Sequence, residues 1–140
     1  MIEYQINEIN LLSLAINIPP PDLNKIDSMF TFMVSINQKV DEKNELLVPF
    51  ITVKIFEKGK DFILAEGMFG VSFRINNFKK VLKKNSSGIY KIPVSLSAAT
   101  NNITISTVRG SLYERLRGTY IEKAILPLIT HDDLTQAKKM

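Results

Sequence analysis

The stretch PVSLSAATNNITISTVRGSLYERLRGTYIEKAILPL, residues 93–128, decides how the rest of this 140-residue chain is interpreted. Residues 103–108 are mostly β-branched, which favours a strand. Against a strand, Pro93 suits the first turn of a helix, and apolar or small residues between 96 and 110 recur every three or four positions. The residues alone leave strand and helix both open for residues 93–116.

The end of this stretch predicts a change of direction. Gly118 offers a left-handed backbone position at which a helix can stop, and Arg117 just before it suits the negative end of a helix dipole. Pro127 cannot lie inside a helix or a central strand. Because residues 124–129 are strongly apolar, we expect them to be buried in a core, in an interface or under a ligand.

Four segments ahead of this stretch alternate apolar and polar residues, as strands do. They are residues 1–18, with a slip near 9–11 that indicates a bulge, and residues 29–40, 47–57 and 62–75. Short turns join the last three, which predicts an antiparallel meander. Residues 78–84 are predicted to form a short helix.

Composition predicts one domain with a modest core, since 45% of the residues are hydrophobic. No apolar run approaches the ~20 residues that span a membrane, and the N-terminus does not resemble a secretory signal. Cysteine is absent, which excludes disulfides, thiolate nucleophiles and cysteine zinc sites. These features predict a cytoplasmic protein that is not attached to a membrane.

The sequence offers no group of residues suited to catalysis. His131 beside Asp132 and Asp133 is the only histidine, and these three fit the start of a surface helix better than a metal site. Gly67–Gly70 lacks the lysine and hydroxyl that end a phosphate-binding loop. We therefore predict no enzyme activity, no metal and no cofactor.

Apolar side chains are more abundant than a single covered sheet face requires. The chain has eight Phe, four Tyr and five Met. In residues 29–40, one face carries Phe30, Phe32 and Val34, whereas the other carries Met29 and Met33. The second set either fills a second layer of the core or belongs to an interface or a binding groove, where methionine adapts to varied ligands.

Lysines cluster between Lys79 and Lys84 in a chain of net charge +4. Such a cluster is typical of a solvated helix face. It could also bind phosphate groups or an acidic surface. Nucleic-acid binding is therefore a hypothesis, and a weaker one than the two given below.

The motif Arg117-Gly118-Thr119-Tyr120, with Pro127 eight residues after Thr119, resembles the C-terminal signature of the SecB family of export chaperones. In that family the long helix ends at this motif, which favours a helix for residues 93–116. The resemblance implies an α+β fold in a single domain, residues 1–140. A four-stranded antiparallel sheet would be followed by a long helix and a short C-terminal helix at residues 130–134.

The resemblance also implies a function. SecB proteins are homotetramers, each a dimer of dimers without ATPase activity, that hold non-native polypeptides in apolar grooves and pass them to the SecA motor. Equivalent groove residues here would be Phe50, Phe56, Phe62, Tyr120, Ile121, Leu126 and Leu128. Equivalent interface residues would be Thr107, Gly110 and Tyr113.

Three departures from the family bear on the partners. Well-known members are acidic, and many end in a cysteine-containing zinc tail, whereas this chain is basic and ends at Lys138-Lys139-Met140. Few sheet acids, such as Glu57 and Glu66, could dock SecA. These differences favour, as an alternative to export, an oligomeric adaptor that protects one dedicated partner such as an antitoxin.

Overall fold

A computed structural model describes residues 1–21 and 29–134 of the chain. The predicted strands and the long helix are all present, and residues 131–134 begin a short C-terminal helix. The elements are β1 (Tyr4–Ile16), β2 (Phe30–Asp41), β3 (Leu46–Glu57), β4 (Ile63–Ile75), α1 (Phe78–Val81), β5 (Lys83–Lys84), β6 (Tyr90–Lys91) and α2 (Val94–Leu116).

The four long strands form one antiparallel sheet in the order β1-β4-β3-β2. This arrangement confirms the meander of β2, β3 and β4 and places β1 beside β4. The register of β1 shifts twice, between Ile6 and Glu8 and between Leu11 and Ser13, whereas the sequence predicted a single slip near residues 9–11. Within the described residues, β1 and β2 each pair on one side only, so both are edge strands.

Helix α2 resolves the ambiguity of residues 93–116. The threonine hydroxyls are satisfied within the helix: Thr104 Oγ1 donates to the Thr100 carbonyl at 2.8 Å and Thr107 Oγ1 to the Ile103 carbonyl at 2.8 Å. The apolar face of the helix is buried against the sheet and contains Ile105, Val108, Leu112 and Leu116.

The predicted helix over residues 78–84 is wrong in its second half. Helix α1 ends at Val81, and Lys83 and Lys84 instead pair with Lys91 and Tyr90 in a two-stranded ribbon. The Asn85 side chain closes the turn of this ribbon by accepting hydrogen bonds from the backbone of Ser87 and Ile89, both at 2.9 Å. This side-chain turn competes with continuation of the helix.

The core lies between one face of the sheet and α2. Ile51, Val53, Ile55 and Phe69 project from β3 and β4 and are buried together with the apolar face of α2. A second cluster around Leu47, Phe73 and Leu96 fills the other end of the same layer. The opposite face of the sheet has no helix over it in the described part of the chain, and we call it the open face.

The predicted fold class is therefore confirmed as an α+β chain with a four-stranded antiparallel sheet, a long helix and a short C-terminal helix. Across the described residues, we find no helix whose length and apolar character would let it cross a membrane.

Candidate functional site

The Arg-Gly-Thr turn ends α2 as the sequence predicts. Gly118 has φ = +79°, the left-handed conformation that glycine adopts without strain. Thr119 Oγ1 donates to the Leu116 carbonyl at 2.7 Å, and the Gly118 N–H donates to Glu122 Oε2 at 3.1 Å. The first bond satisfies a carbonyl that the helix leaves unpaired at its end, and the second closes the turn that leads the chain back toward the helix.

The segment after this turn, residues 118–134, runs back along α2. Near the end of the helix, the Arg109 guanidinium donates to the carbonyls of Leu126 at 3.0 Å and Pro127 at 2.9 Å. About two turns into the helix, Asn102 Oδ1 accepts from the His131 N–H at 2.8 Å. We call residues 118–134 the return segment, and it lies antiparallel to α2.

Arg109 is a structural residue that connects α2 to the return segment. Its partners lie 17 and 18 residues away, so no local pattern could have indicated them. Because it donates to two carbonyls, it fixes the direction of the Pro127 loop relative to the helix.

Replacing Arg109 with Met should loosen this loop, since the two carbonyls would lose a charged donor while the aliphatic contacts remain. We expect the free energy of unfolding to fall by about 2 kcal/mol, measured by urea denaturation. Arg115→Met is the matched control, because Arg115 is exposed on the same helix and should change stability by less than about 0.5 kcal/mol. Equal losses in the two variants would contradict the role of Arg109.

A polar network holds the start of α2 to β2. Gln38 Nε2 donates to Asn101 Oδ1 at 2.7 Å, and Ser97 Oγ donates to Gln38 Oε1 at 2.8 Å. Asn101 Nδ2 lies 2.9 Å from His131 Nδ1. The network therefore brings the end of the return segment beside β2.

His131 is thus placed in a structural network with amides. Among residues 1–21 and 29–134, no group of three or more His, Asp or Glu side chains could hold a metal ion.

The structure corrects two of the predicted groove residues. Ile121 is 0% exposed and Leu126 is 1% exposed, and both belong to the core under the sheet. Their neighbours point outward instead, with Ile125 51% exposed and Leu128 88% exposed. Since neither buried side chain offers a surface to a ligand in this conformation, we remove Ile121 and Leu126 from the candidate site.

The other predicted groove residues lie on different surfaces. Phe50 and Phe56 are half-buried. They lie on the open face together with Asn37 and Thr31, their directly paired residues on β2. Phe62 is exposed in the turn before β4. The predicted set is therefore not brought together into one groove within a single chain.

Tyr120 lies on the helix side of the sheet, where it joins the return segment to the ends of the strands. It packs against the core cluster, and its hydroxyl donates to the Asn17 carbonyl at 2.7 Å. Burial raises the pKa of the Tyr120 hydroxyl above its usual range, so it stays protonated and able to donate at neutral pH.

The helix side of β2 carries the surface that best suits an extended ligand. Phe30, Phe32 and Val34 are half-buried there, packed against the same core cluster as the return segment. Exposed Ile125 and Leu128 belong to that segment. We call these five residues the apolar shelf, three of which lie on the edge strand β2. The sequence showed that Phe30, Phe32 and Val34 share a face but not that the return segment would pack on the same core cluster.

Two further surfaces expose apolar side chains. On the outer side of α2, Tyr113 is 50% exposed, and a Cβ added at Gly110 would meet no atom within 4 Å. On β1, exposed Ile6, Ile9 and Ile16 face the same side of the sheet as the helix, because they pair with the inward-facing residues of β4. Apolar surfaces of this extent on one small chain are typical of interfaces.

The fold of this chain is similar to that of a solved protein structure. No protein-family model matches this chain, and no curated protein matches it. A solved structure that does match is the Mycobacterium tuberculosis SecB-like chaperone Rv1957, in complex with a ChAD peptide from the Rv1956 HigA1 antitoxin. The match covers 90% of each chain with 14% sequence identity and a TM-score of 0.54. At this identity the likeness concerns the fold, and the chain has a SecB-like chaperone fold.

Proposed function

We propose that this chain is a holdase that binds non-native polypeptides without ATP. The main support for the proposal is the apolar shelf. Its exposed Leu128 and Ile125 lie on the return segment, which packs on the same core cluster as the half-buried aromatic side chains of the β2 edge. The SecB-like fold, whose solved neighbour holds a peptide, supports the same reading.

The chemistry of the shelf fits an extended chain with little sequence preference. Unfolded polypeptides expose aliphatic and aromatic side chains, and each Å² of apolar area that they bury contributes about 25 cal/mol. The outer backbone groups of β2 can also pair with an extended ligand, which adds affinity that does not depend on its side chains. No catalytic group takes part in either interaction.

We further propose a homotetramer, built as a dimer of dimers, as the working form. The outer face of α2 around Thr107, Gly110 and Tyr113 and the β1 row of Ile6, Ile9 and Ile16 are the surfaces that would be covered. A cytoplasmic site of action agrees with the absence of cysteine.

Export through SecA is not part of this proposal. Of the two sheet acids named for such docking, Glu57 is buried and Glu66 is exposed, and β1 adds the exposed Glu8. Scattered single carboxylates are a weak basis for docking to a large partner.

A dedicated adaptor is the second candidate function. It is favoured by one observation: the solved neighbour of this fold carries a peptide from an antitoxin. An adaptor would use the same shelf but recognise one sequence, with side-chain pockets providing the selectivity.

Binding of permanently unfolded proteins separates these functions. Two unrelated proteins, reduced and carboxymethylated so that they cannot refold, would be labelled and titrated with the full chain, and fluorescence anisotropy recorded without ATP. A holdase should bind both unfolded proteins and neither native form. If the chain binds neither unfolded protein, the holdase function is contradicted. If it binds only one of the two, the adaptor is favoured.

A further inference from the structure

The charge of this chain is strongly segregated along the sequence. Residues 67–113 contain no Asp or Glu, although the whole chain has 14 acidic residues. The same stretch contains seven basic residues, which are Arg74, Lys79, Lys80, Lys83, Lys84, Lys91 and Arg109. Five of them fall within residues 79–91, on α1 and the β5-β6 ribbon, and we call these five lysines the basic end.

The ribbon places like charges against each other. Lys83 is the direct cross-strand partner of Lys91, and directly opposed residues of an antiparallel pair lie on the same face. Opposed like charges destabilise a strand pair, and no acid within residues 67–113 is available to offset them. A pair of opposed lysines that is unfavourable for folding is typical of a surface that binds an anionic group of another molecule.

Only part of the basic end is neutralised within the chain. Lys84 Nζ lies 3.2 Å from Glu42 Oε2 and 5.6 Å from the centre of the Tyr90 ring. Hydrogen bonds from Lys84 and Tyr90 lower the pKa of the Glu42 carboxyl, and the charge of Lys79 contributes to the same shift. Glu3 lines a cavity with Lys80, but it already accepts from Asn76 at 3.0 Å. Lys83 and Lys91 are exposed and make no ion pair with any residue the structure describes.

Aliphatic rather than aromatic side chains accompany these lysines. Ile89 at the ribbon turn is 66% exposed, and Val94 at the start of α2 is 81% exposed. Tyr90 is half-buried, with Lys84 over its ring. Single-stranded nucleic acids stack their bases on exposed aromatic rings, which the ribbon does not offer. Lysine charges beside aliphatic groups instead complement carboxylates beside aliphatic groups.

We propose that the basic end is a docking surface for an acidic, partly apolar segment of a partner polypeptide. It is separate from the apolar shelf. The shelf residues Phe30, Phe32 and Val34 lie at the start of β2, whereas Lys84 contacts Glu42, which follows the end of β2. Val34 and Asp41 are seven residues apart on that strand, which corresponds to about 24 Å. The docking surface does not depend on the holdase function.

The test uses the full chain and three labelled probes in anisotropy titrations. They are a peptide alternating Glu with Leu, the same peptide with Gln in place of Glu, and a single-stranded oligo-dT of equal charge. The variant Lys83→Glu/Lys91→Glu keeps a like-charged pair, so its fold stability should match the wild type, as a thermal melt would check. Lys58→Glu/Lys123→Glu is the control, with the same change in charge on exposed residues outside the basic end.

We expect the wild type to bind the Glu peptide at least about tenfold more tightly than the Gln peptide, and added salt to weaken this binding. The Lys83/Lys91 variant should lose about tenfold in affinity, whereas the control should change less than about threefold. Four results would overturn the proposal: no binding of the Glu peptide, equal binding of the Gln peptide, equal losses in both variants, or tighter binding of oligo-dT that displaces the peptide.

Discussion

Replacing Leu126 with Asp should unfold or severely weaken this protein, whereas the same change at Leu128 should leave the fold intact and impair polypeptide binding. Leu126 is 1% exposed within the core and Leu128 is 88% exposed. An unpaired carboxylate at the buried position should lower the free energy of unfolding by about 4 kcal/mol or more. At the exposed position the change should stay within about 0.5 kcal/mol.

The binding consequence of Leu128→Asp follows from its place on the apolar shelf. Loss of one large apolar side chain from a ligand contact removes about 1.5–3 kcal/mol, so affinity for an unfolded protein should fall tenfold or more. Urea denaturation measures the stability of both variants, and anisotropy measures the affinity of Leu128→Asp for an unfolded protein. Normal client binding by a folded Leu128→Asp protein would remove the return segment from the proposed site.

Replacing Gly110 with Trp should break the proposed homotetramer without harming the chain itself. A side chain at this position meets no atom of its own chain within 4 Å, and glycine is the less favourable of the two residues within a helix. Any loss of assembly would therefore arise from collision with a second copy. Sedimentation velocity should show the wild type at four times the 15.9 kDa chain mass and the variant as a smaller species.

Gly110→Ala is the matched control for this experiment. It removes the flexible glycine, which should stabilise the helix by about 1 kcal/mol, but adds only a methyl group to the surface. We expect it to keep the assembly. A tetramer that survives Gly110→Trp would place the interface elsewhere, and a monomeric wild type would refute the proposed assembly altogether.

The strands of this fold could be predicted from the sequence because alternating apolar and polar residues are typical of a sheet with one covered face. Residues 103–108 were harder, since β-branched side chains suit a strand in isolation. Burial of Ile105 and Val108 against the sheet outweighs that local preference. The end of the helix was predictable because a left-handed position at Gly118 is a local requirement.

The candidate site could be predicted only in part, because its residues belong to segments without a period. In residues 124–129 nothing local distinguishes the buried Leu126 from the exposed Leu128. The backbone between them is held by two hydrogen bonds from Arg109, a residue 17 positions from Leu126. Likewise, the end of the return segment is held beside β2 through Gln38 and Asn101, which are far from it in sequence.

We propose that this chain, with its SecB-like fold, holds non-native polypeptides on an exposed apolar surface. The most direct test of this proposal is light scattering from a chemically unfolded protein diluted into buffer without ATP, with this chain present at near-stoichiometric amounts. The wild type should suppress aggregation, and folded Leu128→Asp should do so far less. Unchecked aggregation in the presence of a well-folded wild type would contradict the proposal.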